Sequence, residues 1–78
     1  MTIIKILGSG CNNCVRLAAN AHEAVEQLGI EATIEKVTDY NEIHSYPILA
    51  TPGLVIDEKL VSAGRIPNVE EIVTWLKG

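Results

Sequence analysis

The sequence predicts an α/β fold with the element order βαβαββα, in which a four-stranded mixed sheet is flanked by three helices. Short runs rich in Ile and Val alternate with longer segments in which apolar residues recur every three or four positions. These are the patterns of strands and of amphipathic helices. The chain has 78 residues, enough for one small core. We therefore expect residues 1–78 to form a single domain.

The first half of the chain predicts a strand, a helix and a second strand. Thr2–Leu7 is β-rich, has apolar residues on both alternating sets of positions, and is closed by the turn residues Gly8–Gly10. Asn12–Leu28 carries a helical stripe formed by Cys14, Ala18, Ala21, Val25 and Leu28. Gly29 is typical of a helix end, and Glu31–Val37 alternates as a strand does. Strands joined in this way pair in parallel, through a right-handed crossover.

Two capping patterns predict the remaining helices. Asp39 with Glu42 predicts a short helix over residues 40 to about 46, which Pro47 then stops. Asn68 with Glu71 predicts the start of the final helix. The apolar residues of that helix recur at i, i+3, i+4 and i+7 and are Val69, Ile72, Val73 and Leu76.

Between these helices the sequence predicts a hairpin. Leu54–Ile56 and Lys59–Ala63 are β-rich and are joined through Asp57 and Glu58 alone. So short a connection allows only antiparallel pairing. Asp-Glu is a poorer turn pair than Asn-Gly, which leaves the turn type open.

Charge and apolar content exclude several classes of protein. The net charge is −4 and the basic residues are scattered, so we expect no nucleic-acid partner. The longest apolar runs are far shorter than the ~20 residues that cross a bilayer, and the N-terminus lacks the pattern of a signal peptide. We therefore expect a cytoplasmic protein without membrane insertion. In that reducing compartment a close cysteine pair indicates redox chemistry or metal binding.

The two cysteines, Cys11 and Cys14, stand at the junction of the first strand and the first helix. Cys11 falls at or next to the N-cap, where unpaired N–H groups and the helix dipole favour a thiolate. Cys14 belongs to the apolar stripe, so we expect it to be buried. The exposed Cys11 is therefore the predicted nucleophile and Cys14 the predicted resolving thiol.

Three segments together resemble a known family. They are Gly8–Cys14 (GSGCNNC) after a strand, Ala50–Pro52 (ATP) before a strand, and Gly64–Pro67 (GRIP) before the last helix. In this order and spacing they resemble the small thioredoxin-fold proteins called redox-active disulfide protein 2, a thioredoxin/glutaredoxin-like family. The resemblance covers essentially the whole chain and implies a thioredoxin fold.

The resemblance also implies a function and its residues. Cys11 attacks a substrate disulfide, Cys14 resolves the mixed disulfide, and Thr51-Pro52 is a cis-proline element that faces the cysteines and binds the substrate strand. The implied activity is that of a thiol-disulfide oxidoreductase, with no cofactor besides its own redox-active disulfide. Its implied partners are a protein disulfide substrate and an upstream dithiol reductase, and we expect a monomer.

The chain departs from ordinary thioredoxins at three places. Gly10 replaces the Trp before the first cysteine, and Asn12-Asn13 replaces the Gly-Pro between the cysteines. Lys5 stands six residues before Cys11, where thioredoxins carry a buried Asp that helps to move protons to the resolving thiol. The proton route and the redox poise of thioredoxins are therefore not carried over.

Metal binding is the main alternative. Small heavy-metal-binding domains also place a CxxC after their first strand, and two thiolates bind Cu(I) or Zn(II) well. Those domains run βαββαβ, however, whereas this chain ends in a predicted helix. A zinc site combining Cys11 and Cys14 with His22 and His44 is disfavoured, because His22 lies about 12 Å along the helix from Cys14. We expect no resident metal, and no special role for either histidine.

Four other kinds of side chain, Lys, Arg, Trp and Tyr, have no role assigned by these motifs. Lys5 either extends to solvent or favours a nearby thiolate, and the sequence leaves both open. Arg65 is expected to be a solvated loop residue rather than an ion-pair partner. Trp75, Tyr40 and Tyr46 are expected to pack at the edge of the core.

Overall fold

The computed structural model describes residues 2–8, 12–48 and 50–77. Its elements follow the predicted order βαβαββα, which is thereby confirmed. They are β1 (Thr2–Leu7), α1 (Asn12–Leu28), β2 (Ala32–Val37), α2 (Tyr40–Ile43), β3 (Gly53–Ile56), β4 (Lys59–Ala63) and α3 (Val69–Lys77).

The strands form one mixed four-stranded sheet in the order β2-β1-β3-β4. β1 pairs with β2 in parallel, from Thr2 opposite Ala32 to Leu7 opposite Val37. β1 pairs with β3 in antiparallel fashion, so that Leu7 lies opposite Gly53, and β3 continues into the β4 hairpin. The predicted fold class is confirmed, and β1 lies in the interior of the sheet as its apolar sequence requires.

The larger part of the core fills the face of the sheet that α1 and α3 cover. Ile4 and Ile6 of β1 and Leu54 of β3 are almost completely buried there. From α1 the cluster takes Cys14, Leu17, Ala18, Ala21 and Ala24. The buried stripe of α1 is thus wider than the predicted one, because Leu17 and Ala24 also face the sheet.

A second core cluster lies on the opposite face, under α2. Leu7, Val37 and Val55 come from the sheet, and Ile43 and Ile48 cover them. The prediction that β1 is buried on both faces is therefore confirmed at its C-terminal end. At its N-terminal end Ile3 remains 37% exposed.

Helix α2 ends earlier than the sequence predicts, at Ile43 rather than near Tyr46. Asp39 caps its start as expected, since its carboxylate accepts the backbone N–H groups of residues 41 and 42. The N–H groups of Ile43 and His44 reach back four residues, whereas those of Ser45 and Tyr46 reach back only three, which is the pattern of a tighter turn. The Ser45 hydroxyl donates to the Glu42 carbonyl at 2.6 Å, so the side chain completes the turn that stops the helix.

The hairpin turn, left open by the sequence, has two residues with positive φ. Asp57 has φ 47° and Glu58 has φ 70°, the combination of a type I′ turn. The Asp57 carboxylate accepts the N–H of Ile3 at 3.0 Å, and the Asp57 N–H donates to the Ile3 carbonyl at 2.9 Å. These two bonds to β1 compensate for a turn sequence of low intrinsic preference.

Candidate active site at the start of helix α1

Cys14 lies in the first turn of α1 and is buried, with 6% of its surface exposed. It packs in the same cluster as Ile6 and Leu17, as its place on the apolar stripe predicted. Cys11 lies outside the described residues, as do its neighbours Ser9 and Gly10. The assignment of Cys11 as the nucleophile therefore rests on the sequence alone.

Gly8, the first residue after β1, is in direct contact with the sulfur of Cys14. A methyl group at Gly8 would overlap the Cys14 Sγ and would lie 3.9 Å from the Cβ of Thr51. Because Gly8 has no side chain, Cys14 and Thr51 can both approach the end of β1. The sequence identified Gly8 only as a turn residue, because its steric role depends on how closely α1 and the Thr51 loop approach it.

The Thr51-Pro52 segment lies next to Gly8 at the end of β1. Its peptide bond is cis, Pro52 is buried and Thr51 is exposed. The segment leads directly into β3, whose Gly53 pairs with Leu7. The Pro52 carbonyl accepts the N–H of Gly64 at 3.0 Å, which joins the GRIP segment to the same corner of the molecule.

Lys5 does not belong to the surroundings of Cys14. It alternates with Ile4 and Ile6, which pack with Cys14, and so its side chain emerges on the other face of the sheet. There Nζ lies 2.9 Å from Glu58 Oε1 and 3.2 Å from the Tyr46 hydroxyl. Of the two sequence-based alternatives, a role beside the Cys14 thiol is excluded, and the ammonium is held at the surface in an ion pair.

Hydrogen bonding within this Lys5-Tyr46-Glu58 cluster favours the charged forms of Lys5 and Glu58. The bonds to Glu58 and to Tyr46 hold the pKa of Lys5 well above its ordinary value. The same bonds, with Lys5 first and Tyr46 second, lower the pKa of Glu58. The Tyr46 hydroxyl also donates to Glu58 Oε2 at 3.0 Å, so each of the three side chains contacts the other two.

Arg65 has a partner, contrary to the expectation of a solvated loop arginine. Its guanidinium contacts both carboxylate oxygens of Glu71, at 3.1 and 2.6 Å. Glu71 also accepts the backbone N–H of Asn68, whose side chain caps the Glu71 N–H in return. The hydrogen bonds from Arg65 and from the Asn68 backbone lower the pKa of Glu71. The prediction missed this pair because it needs the loop and the helix start to be folded together.

Two cavities flank the site. A small one of about 20 Å³ is lined by Ile6, Gly8, Cys14, Val15, Lys36 and Thr38. A larger one of about 250 Å³ lies beside the Thr51 segment and is lined by Ile43, His44, Ile48, Ala50 and Thr51. Lys36 and His44 were not assigned to the site from sequence, since no local motif marks either residue.

The aromatic and histidine residues occupy varied positions. Trp75 packs against the larger core cluster and Tyr46 against the smaller one, as predicted. Tyr40 is 73% exposed, so the prediction of core-edge packing is wrong for this residue. Its ring lies against that of His44, four residues later, with 4.2 Å between the ring centroids.

The described residues offer neither a metal-binding cluster nor a membrane-spanning helix. Within residues 2–8, 12–48 and 50–77, no three His, Cys, Asp or Glu side chains are grouped closely enough to hold a metal ion. Over the same ranges, no helix combines the length and apolar character needed to span a bilayer. His22 is exposed on α1, whereas His44 follows α2 on the other face of the sheet, so the structure does not bring the two histidines together.

Comparison with known proteins gives a consistent result. A family model described as a thioredoxin domain matches residues 2–77. A thioredoxin of Methanocaldococcus jannaschii is 48% identical over 77 residues, which cover 99% of this chain and 88% of the relative. A thioredoxin of Methanothermobacter thermautotrophicus is 44% identical over 72 residues, which cover 92% of this chain and 94% of the relative.

Proposed function

This chain belongs to the thioredoxin family, and from that membership we propose that it is a thiol-disulfide oxidoreductase acting on protein disulfides through Cys11 and Cys14. The thioredoxin-like identity predicted from the sequence is confirmed. The narrower assignment to redox-active disulfide protein 2 stays a prediction. The observation that best supports the proposal is the position of Cys14, buried in the first turn of α1 and adjacent to Gly8 and Thr51.

The proposed reaction has two exchange steps. The Cys11 thiolate attacks a substrate disulfide, so that a mixed disulfide forms and one substrate sulfur leaves as a thiolate that takes a proton from water. The Cys14 thiolate then attacks the Cys11 sulfur. The Cys11–Cys14 bond forms as the bond from Cys11 to the substrate breaks, and the second substrate sulfur leaves with the electron pair. The substrate is reduced by two electrons and the protein dithiol is oxidised.

The burial of Cys14 supports its role as the resolving thiol. A thiol that is 6% exposed and packed against Ile6 and Leu17 is poorly accessible to a folded protein substrate. Cys11 stands three residues earlier in the sequence, a spacing from which a disulfide can close when the two Cα atoms lie about 4.4–6.8 Å apart.

Thr51 and Pro52 are proposed to bind the substrate strand. Thr51 is exposed and lies next to Gly8, which contacts Cys14, so its main chain can pair with an extended peptide. Pro52 has no N–H to offer to the sulfurs, and its carbonyl already accepts the N–H of Gly64. A substrate strand laid along this segment would place its disulfide over the start of α1.

We also propose the redox partners of this chain and the compartment in which it works. A protein disulfide is the electron acceptor, and an upstream dithiol reductase restores the Cys11–Cys14 dithiol. A donor is needed because each turnover leaves Cys11 and Cys14 oxidised. We place this cycle in the cytoplasm, with a monomeric protein and with no cofactor besides the disulfide itself.

Trapping experiments test the assignment of the two cysteines. We expect Cys14→Ser to accumulate a mixed disulfide with a disulfide-bonded protein substrate, identified at Cys11 by mass spectrometry. The matched variant Cys11→Ser should accumulate little, because Cys14 is buried. Trapping through Cys14 in Cys11→Ser, with none in Cys14→Ser, would reverse the assignment. Failure of both variants to form a mixed disulfide would contradict the proposed function.

A further inference from the structure

Tyr46 stands between helix α2 and the Thr51-Pro52 segment, and its hydroxyl group is held at two points. The hydroxyl accepts a hydrogen bond from Lys5 Nζ at 3.2 Å and donates one to Glu58 Oε2 at 3.0 Å. Lys5 Nζ also lies 5.9 Å from the centroid of the Tyr46 ring. Hydrogen bonds to charged partners are stronger than those between neutral groups. One side chain therefore attaches the segment that follows α2 both to β1 and to the β3–β4 turn.

The backbone passes this attachment on to Ile48. The Ile48 N–H donates to the Tyr46 carbonyl at 2.7 Å, so the chain makes a tight turn at Pro47. The Tyr46 N–H donates in turn to the Ile43 carbonyl at 3.3 Å. Because Pro47 also restricts its own φ, the position of Ile48 follows that of Tyr46.

Ile48 in turn supports the point at which the Thr51-Pro52 segment enters β3. Its side chain is buried in the smaller core cluster, and a methyl group at Gly53 would overlap its Cδ1. Gly53 directly follows Pro52 and pairs with Leu7 of β1. The Ile48 side chain therefore lies directly against the backbone next to Pro52.

A cavity, rather than packed side chains, separates Thr51 from α2. Its volume is about 250 Å³, with Ile43 and His44 on one side and Ala50 and Thr51 on the other. Thr51 itself is exposed. A backbone segment with few packed neighbours opens more readily than one in a filled core. The conformation of Thr51 therefore depends on the anchored residues on either side of the cavity.

Resting on the function proposed above, we propose that Tyr46 is a positioning residue for substrate binding: its anchored hydroxyl holds the Thr51-Pro52 segment in the conformation that pairs with a substrate strand. The anchor lies on the face of the sheet opposite Cys14, because Lys5 alternates with Ile4 and Ile6. It therefore acts on the affinity for an extended protein strand and leaves thiol exchange itself unchanged.

Tyr46→Phe is the variant that isolates this role. It removes the hydroxyl group, keeps a ring to pack against the smaller core cluster, and leaves the ion pair between Lys5 and Glu58 in place. Tyr40→Phe is the matched control, since it removes the same group from a tyrosine that is 73% exposed on α2.

Amide hydrogen exchange, followed by NMR, tests the anchor without requiring any redox activity. Two N–H groups report on the segment: that of Ile48, and that of Gly64, which donates to the Pro52 carbonyl at 3.0 Å. We expect both to exchange about tenfold faster in Tyr46→Phe, as loss of bonds to charged partners allows. The Gly29 N–H, bonded to the Val25 carbonyl at the end of α1, should exchange as in the parent.

Kinetics test the consequence for the substrate. Insulin reduction, with dithiothreitol as electron donor, gives kcat and KM for a protein disulfide. A single turnover of the reduced protein with a small aromatic disulfide, too short to lie along the segment, gives the rate of thiol exchange alone. We expect Tyr46→Phe to raise the KM for insulin about threefold, because apparent affinity falls with the fraction of molecules in the competent conformation. The kcat and the single-turnover rate should stay unchanged.

A second variant checks the anchor from its other end. Glu58→Ala removes the group that accepts the Tyr46 hydroxyl, so it should also raise the KM for insulin and leave kcat unchanged. Tyr40→Phe should match the parent in every measurement.

An unchanged exchange rate at Gly64, or an unchanged KM for insulin, in Tyr46→Phe would overturn the proposal. So would the same changes in Tyr40→Phe, or an equal fall in kcat and in the single-turnover rate, which indicates a general loss of structure. A parent protein that reduces neither insulin nor the small disulfide removes the proposed function. Exchange at Ile48 and Gly64 still decides, in that case, whether Tyr46 holds the segment.

Discussion

At the residue scale, the packing around Cys14 requires a glycine at position 8. The Cys14 sulfur occupies the space where any other residue would carry its Cβ, and Thr51 approaches the same point. Nothing in the local sequence distinguishes this glycine from Gly10, since both belong to a turn-rich segment. Its requirement comes from the close approach of α1 and the Thr51 segment to the end of β1.

Gly8→Ala is therefore expected to lower the free energy of unfolding by about 1–3 kcal/mol, because the added methyl group overlaps the Cys14 Sγ in a packed core. Urea unfolding measures the loss. We also expect faster alkylation of Cys14 in a Cys11→Ser background, as the sulfur is displaced toward solvent.

Gly29→Ala is the matched control for Gly8→Ala. Gly29 has φ 63° and no atom within 4 Å of an added Cβ, so alanine strains the backbone there without touching Cys14. It should lower stability by about 1 kcal/mol and leave the alkylation rate of Cys14 unchanged. Equal alkylation rates in the two variants would contradict the steric role of Gly8.

At the scale of elements, the Lys5-Tyr46-Glu58 cluster connects three parts of the chain. Lys5 comes from β1, Glu58 from the β3–β4 turn and Tyr46 from the segment that follows α2. The cluster borders the smaller core cluster, against which Tyr46 packs. It therefore fixes the segment that leads from α2 toward Thr51.

The pH dependence of stability should report this cluster. Because the pKa of Glu58 is lowered on folding, its contribution is present above the ordinary carboxyl range and is lost as pH falls through the folded value. The pKa of Lys5 is raised, so its contribution is present below the ordinary lysine range and is lost in strong base. Glu58→Gln should be less stable than the parent near neutral pH, and the difference should diminish below about pH 4.

The control for Glu58→Gln is Glu23→Gln, at an exposed position within α1. Urea unfolding at several pH values is the measurement for both variants. A Glu58→Gln protein whose stability difference from the parent does not change with pH would show that the ion pair is not the source of the effect.

The start of α3 offers a test of capping. Asn68 and Glu71 each bind the other's backbone N–H, at 2.8 Å for the Asn68 side chain and 3.3 Å for Glu71. Asn68→Ala should cost about 1 kcal/mol in the free energy of unfolding, as loss of an N-cap usually does. Asn41→Ala, on the exposed surface of α2, should change it by less than about 0.5 kcal/mol. Equal effects would argue against the cap.

At the scale of the whole molecule, the element order, the sheet type and the burial of Cys14 could be predicted from the sequence. These features follow from local periodicity and from the few ways in which short connections join strands. The Asn68–Glu71 cap was also predictable, since both partners lie within one turn of the same helix. Predictions of this kind need no knowledge of long-range contacts.

The features that could not be predicted all depend on contacts that form only when separate elements of the chain fold together. Lys5 had two possible roles, and the structure separated them through a partner more than 50 positions away, Glu58. Arg65 acquired its partner only when the loop met α3, and Lys36 came near Cys14 only through the β1–β2 register. Cys11 itself is known from the sequence alone.

The central claim is that Cys11 and Cys14 act as one redox couple, and an equilibrium redox titration tests it most directly. The protein is equilibrated with dithiothreitol buffers of graded potential, and its free thiols are counted after acid quenching. We predict one transition in which both thiols disappear together, with the equilibrium constant changing tenfold per ~30 mV as a two-electron couple requires. Thiols that stay reduced across the range, or that are lost one at a time into intermolecular products, would contradict the account.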